Sequence, residues 1–232
     1  MVRILGGFGK GKRAKRIPLK PDSIQCTIDL VASNLVETHS PMKILLILGH
    51  PKPNSLNHAI AERSIRVLQE RGHEVLFHDL YQEHFDPVLP LGEENLPEEE
   101  LPVVLQHHLR RFKEADGVIF VHPNWWGGPP AILRGWVDRV IRTNSCYNFT
   151  PNGVISHVGG KIVQIFSTSN TPRDVEINVF GDPTENFWKV IVFGLLGSKS
   201  FERRNFESVV LSTPEERQDW LTEVETTLQR RF

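Results

Sequence analysis

From Lys43 onward the chain alternates short apolar runs with stretches of helical period, five times over, and this rhythm leaves few folds open. Residues 44–48 form an apolar run closed by Gly49. Residues 74–79, 117–121 and 161–166 repeat the pattern, and a weaker run follows near 208–211. Between them lie predicted helices. One spans residues 57–71, with Ile60, Ile65 and Leu68 on one side, and stops at Gly72. Another spans 97–115 and opens on Glu98, Glu99 and Glu100, which suit the positive end of a helix. Further helices are expected over 131–142 and 185–195. The last begins at Thr213 and Pro214, with Glu216 placed to complete a capping box. Runs apolar on both faces predict buried parallel strands. The expected fold is an α/β, doubly wound five-stranded parallel sheet in the order 2-1-3-4-5.

A chain of 232 residues, 39% hydrophobic and 24% charged, can bury a core and makes one main domain. The net charge of −1 argues against a nucleic-acid partner. It conceals an asymmetry: residues 1–41 carry 7 basic and 3 acidic side chains, the remainder 20 and 25. Residues 1–41 therefore read as a basic, poorly ordered extension, and 42–232 as the folded domain. Gly6 to Lys12 matches the GxxxxGK spacing of a phosphate loop, but Arg13 stands where a hydroxyl is required. Cys26 and Cys146 lie far apart without ligand spacing, which suggests a reducing compartment. No apolar window is long enough for membrane insertion, and no secretory signal is evident. A cytoplasmic location is expected.

In an open sheet of this order, ligands bind at the carboxyl ends of strands 1, 3 and 4. The first loop, Gly49 to Asn57, offers hydroxyl and amide side chains at a helix start, a ready anion site or an ordinary N-cap. The second, His122-Pro-Asn-Trp-Trp-Gly-Gly-Pro-Pro, cannot prolong its strand because prolines lack a ladder donor. Trp125 and Trp126 there either plug a core corner or wall a flat aromatic ligand. The third, Ser167 to Pro172, is rich in short hydrogen-bonding side chains that suit a heterocycle edge or simple turns.

The strings His50-Pro-Lys-Pro-Asn-Ser-Leu-Asn57, Asp79-Leu-Tyr-Gln-Glu-His-Phe-Asp-Pro87 and Pro130-Ala-Ile-Leu-Arg-Gly-Trp-Val-Asp-Arg139 resemble the flavodoxin-like NAD(P)H:quinone oxidoreductases over about residues 42–231. The resemblance implies a flavodoxin-like fold and a flavin. Its phosphate would sit on His50, Asn54, Ser55, Leu56 and Asn57. Its ring would lie on Pro123, Asn124, Trp125, Trp126 and Gly127, with an edge near Ser167, Thr168, Ser169 and Asn170. The cofactor would be FMN, with FAD as the alternative, and NAD(P)H the electron donor. A ping-pong hydride transfer to a quinone-like acceptor would follow, in a pocket including Trp126, Gly128, Tyr147 and Phe149, the last two equally readable as packing. A homodimer with its site at the subunit boundary is also implied.

Two departures stand out. Ser169-Asn170 replaces the family's glycines, and residues 171–178 lack its Tyr and His, so no catalytic acid is assigned. The histidines at 73, 78, 84, 107 and 108 show no trusted ligand spacing, and no metal is expected. The acidic stretch from Glu93 to Glu100 reads as solvated, and Trp136 as core or subunit contact. A rival function is a regulatory flavoprotein subunit of a membrane transporter; a second is a binding module without flavin.

Overall fold

The computed structural model describes residues 40–232. The reading of residues 1–39, including the phosphate-loop string and Cys26, falls outside the described residues. The strands are, in chain order, β1 (Lys43–Leu48), β2 (Glu74–Asp79), β3 (Gly117–Pro123), β4 (Tyr147–Thr150), β5 (Gly153–Ser156), β6 (Ile162–Thr168) and β7 (Ser200–Phe206). β4 and β5 pair as an antiparallel hairpin, and the other five form one sheet in the order β2-β1-β3-β6-β7, every pair parallel. Counting sheet strands alone, this is the expected 2-1-3-4-5.

The helices are α1 (Leu56–Glu70), α2 (Val103–Glu114), α3 (Ala131–Val140), α4 (Arg173–Asn178), α5 (Pro183–Glu185), α6 (Phe193–Leu196) and α7 (Pro214–Arg231). Side chains alternate across the sheet, so each strand feeds two cores. Leu45, Ile47, Val118, Phe120 and Ile165 pack with Phe112 of α2 and Trp136 of α3. Ile44, Leu46, Ile119 and Val121 pack with Ile60 of α1 and Leu228 of α7. Trp136 is fully buried core. Among the described residues, no helix is long and apolar enough to cross a membrane.

Four expectations need correction. Residues 209–211 form a 3-10 turn entered through Ser208 at φ 53°, and the fifth strand is β7 instead. The sequence Ser-Phe-Glu-Arg-Arg-Asn-Phe hides that strand because its charges find partners on neighbouring elements, as Arg204 does on Glu223 at 2.6 Å. The helix expected from Pro97 starts at Val103: two 3-10 turns, Glu93–Asn95 and Glu98–Glu100, precede it. Pro102 has no N–H for an interior helical bond and so sits at the N-cap. Glu93 is not solvated but buried, accepting from both Nε and Nη2 of Arg139 at 2.8 and 2.5 Å. The expected helix over 185–195 contains a π-helical stretch, Asn186–Val192, which turns Phe187 and Trp188 into the core.

Candidate functional site

The strand order reverses at β1 and β3, and the chain crosses this edge in three loops. After β1, Asn54 takes a left-handed turn (φ 57°), which Asn tolerates, and Ser55 caps α1 through its side chain. The first helical N–H groups, on Leu56 and Asn57, face no intrahelical acceptor. Asn57 is buried and donates to Thr168 Oγ1 at 2.9 Å, which ties the β1 loop to the end of β6; its Oδ1 has no partner.

After β3, the tryptophans form a tight turn. Trp125 N–H donates to Gly128 O at 2.9 Å and Gly128 N–H returns to Trp125 O at 3.2 Å. Trp126 and Gly127 at its apex both have positive φ, 54° and 77°. That geometry is strained for Trp126, whose side chain is fully exposed. The apex N–H groups lie outside the turn's two bonds and remain available as donors. Gly127 is required here: a Cβ would come 2.7 Å from Pro183 Cγ.

Residues behind the turn brace it. Asn124 N–H donates to Thr168 O at 2.7 Å, and its side-chain amide donates to buried Glu176 of α4, also at 2.7 Å. Arg203 of β7 gathers three carboxylates: Asp182 at 2.6 and 2.7 Å, Glu185 at 3.1 Å and Glu176 at 3.5 Å. Burial pushes the Glu176 carboxyl above its ordinary range; Arg203 opposes this, and Asp182 and Glu207 add to it. At the strand end His122 is buried and held neutral, its pKa lowered to about 4 by desolvation. It receives Trp188 Nε1–H at 2.9 Å on Nε2, which leaves Nδ1–H to donate to Pro123 O at 2.9 Å.

Two cavities meet at Asn124. The first, about 320 Å³, is lined by His50, Asn54, Ser55, Leu56 and Asn57 from the β1 loop, by Pro123 and Trp125, and by Thr168, Ser169 and Asn170. The second, about 460 Å³, has walls of Trp126, Gly127, Thr171, Glu176, Phe180 and Pro183. The structure thus gathers nearly all residues named from the sequence. Ser167 is the exception among the residues expected to hold the flavin: it is buried in the sheet, donating to Asn205 Oδ1 at 2.8 Å. Gly128, Tyr147 and Phe149 line neither cavity; the two rings pack edge to face at 5.5 Å on the hairpin. Sequence reasoning missed Lys52, Val209, Val210 and Arg217 on the first cavity and Glu176, Phe180 and Pro183 on the second. Arg217, one helical turn into α7, was detectable only as a cation near a helix start.

The chain matches a family model described as a flavodoxin-like fold over residues 42–230. The chain belongs to the flavodoxin-like family. A Haemophilus influenzae protein named as an NAD(P)H oxidoreductase is 33% identical over 72% of this chain and 82% of its own length. The guinea pig (Cavia porcellus) NAD(P)H dehydrogenase (quinone) 1 is 33% identical over 46% of this chain and 46% of its own length, so this chain spans under half of that relative. A Streptococcus mutans UA159 crystal structure superimposes with a TM-score of 0.73 at 31% identity, covering 82% of this chain and all of that one. The resemblance to flavodoxin-like NAD(P)H:quinone oxidoreductases holds.

Away from this edge, histidines that looked scattered do meet. His78 and His108 stack at 3.8 Å, and Glu83 lies 2.8 Å from His78 Nδ1 and 3.2 Å from His108 Nε2, a grouping with metal-ligand distances. His108 Nδ1 also accepts Trp136 Nε1–H at 3.1 Å, where a ligating imidazole would donate outward. The group works as a hydrogen-bonded clamp between β2 and α2.

Proposed function

We propose that the chain is a flavin-dependent NAD(P)H oxidoreductase that passes hydride by a ping-pong route to quinones or similar small electrophilic acceptors, with FMN as its flavin. The observation that carries this reading is the pair of cavities flanking the tryptophan turn at the reversal in strand order. The first combines hydroxyl and amide side chains with two cations, Lys52 and Arg217, and no acidic residue, as a phosphate requires. Its unpartnered Asn57 Oδ1 is an acceptor suited to a ribityl hydroxyl. The second is walled by Trp126, Phe180 and Pro183, which suits a flat apolar ring.

Within that reading Ser55, Leu56 and Asn57 bind the phosphate. The exposed N–H groups of Trp126 and Gly127 are aimed donors for the electron-rich edge of a ring, preorganised by the brace behind them. The flavin, when bound, supplies the hydride chemistry; the protein orients it. Tyr147 and Phe149 are assigned to a substrate pocket across the subunit boundary of a homodimer, following the family resemblance. The names of the Haemophilus and guinea pig relatives support the donor and the acceptor class. The test is an absorbance spectrum of the purified chain, mass identification of the released flavin, and NAD(P)H oxidation with a benzoquinone. Bound FMN with rapid turnover is expected. Bound flavin without turnover would favour the transporter-regulatory role, and failure to bind added FMN or FAD would refute the flavin.

A further inference from the structure

Beside the phosphate cavity, Ser55, His58 and Asp79 form a chain that governs one proton. Ser55 Oγ accepts the backbone N–H of His58 at 3.3 Å and lies 2.9 Å from His58 Nδ1. The other ring nitrogen, Nε2, lies 3.3 Å from Asp79 Oδ2. Asp79 is itself fixed, because its Oδ1 accepts the N–H groups of Tyr81 and Gln82 at 3.1 Å each. A carboxylate only accepts, so Nε2 keeps its hydrogen in either charge state of the ring. In neutral His58, Nδ1 is therefore a lone pair, and the Ser55 hydroxyl is committed to it. Ser55 then offers an anion nothing but lone pairs. In the imidazolium, Nδ1–H donates to Oγ and the hydroxyl hydrogen is free to turn into the cavity. Between Ser55 and His58 in the chain, Asn57 lines the same cavity, and its buried Oδ1 has no partner.

We propose that His58 is a positioning residue for the flavin phosphate: protonating it turns the Ser55 hydroxyl into a donor, so that a dianionic phosphate monoester binds together with one proton. The inference rests on the flavin reading and adds proton control to its phosphate subsite. The balance is simple: neutral protein, one solvent proton and the dianion give the imidazolium complex, and no bond to phosphorus changes. The charged and titratable groups facing His58 are Asp79 from the end of β2 and His50 from the β1 loop, whose ring lies 6.1 Å away, with Lys52 and Arg217 further along the cavity. Burial lowers the pKa of His50, which lines the same cavity, and the His58→Gln variant below separates the two rings.

The test is a fluorescence titration of the full chain with FMN and with riboflavin between about pH 7 and 9, where a phosphate monoester, with its second pKa near 6, is already dianionic. The FMN Kd should rise with pH, approaching about tenfold per unit as one proton is taken up per flavin. The riboflavin Kd should stay flat. His58→Gln should abolish the slope for FMN and leave riboflavin binding unchanged. Parallel curves for the two flavins, or a His58→Gln chain keeping the wild-type slope, would overturn the proposal. Calorimetry of the wild-type chain in buffers of different ionisation enthalpy reads the proton directly, should the variant not fold. About one proton should enter with FMN and none with riboflavin; equal uptake overturns the role of His58. A wild-type chain that binds neither flavin would refute the flavin reading itself, and a chain that binds both identically refutes only this inference.

Discussion

Replacing Gly127 by Ala puts a methyl group where the structure has no room for one. The new Cβ would stand 2.7 Å from Pro183 Cγ and 3.5 Å from its Cβ, on a backbone at φ 77°. A left-handed conformation costs an alanine about 1–2 kcal/mol. The overlap adds about 1–3 kcal/mol, because Pro183 cannot retreat freely. Its neighbour Asp182 is held by Arg203 at 2.6 and 2.7 Å, and Thr184 is buried. The turn is at the surface, so it should shift rather than unfold the domain and lose the aim of its two apex N–H groups. A penalty of about 2–4 kcal/mol after partial relaxation corresponds to FMN binding weakened roughly 30- to 700-fold, at 1.4 kcal/mol per factor of ten. Gly128→Ala is the matched control, because a Cβ there meets nothing within 4 Å. Fluorescence titration with FMN, beside a thermal melt, reads both variants. Equal FMN affinities in the two would refute the claim that this turn's backbone shapes the flavin site.

Three further outcomes are expected. Trp126→Gly relieves a left-handed tryptophan at φ 54° and should raise stability by roughly 1 kcal/mol in denaturant melts while weakening FMN binding. Arg217→Gln should weaken FMN but not riboflavin in the same titration, since it removes a cation from the cavity that holds Ser55 and Asn57. For Glu83, burial pushes the carboxyl up, but the hydrogen bonds from His108 and His78 outweigh it and bring the pKa from 4.5 down to about 2. A depressed carboxyl pKa stabilises the fold above the unfolded value, and that stability is lost as pH falls from about 4.5 toward 2. Glu83→Gln should flatten this acid limb in pH-dependent melts; an unchanged limb would show that the clamp contributes nothing.

Much of the site was legible because it lies where sheet topology puts it. Once residues 44–48, 117–121 and 161–166 read as buried strands, the loops at their carboxyl ends had to share one edge, and His50, Asn57, Trp125 and Thr168 came together as expected. The misses have a common cause. β7 is a charged strand whose Arg203 and Arg204 pair with carboxylates 18 to 27 positions away, so it lacks the apolar signature of its neighbours. Glu93 looked solvated because its partner, Arg139, lies 46 residues on. The clamp of His78, Glu83 and His108 likewise joins residues that sequence spacing separates.

Local chemistry therefore settled four of the five sheet strands, the caps of the first and last helices and which loops meet, because those depend on periodicity and on near neighbours in the chain. The capping box of Thr213 and Glu216 formed as its spacing requires. Tertiary structure alone decided that Glu176 and Pro183 brace the tryptophan turn and that Asp79 lies 3.3 Å from His58 Nε2. Those relations join residues brought close by the crossing of the chain, and the energy of a buried charge or hydrogen bond depends on that distance, which no local pattern encodes.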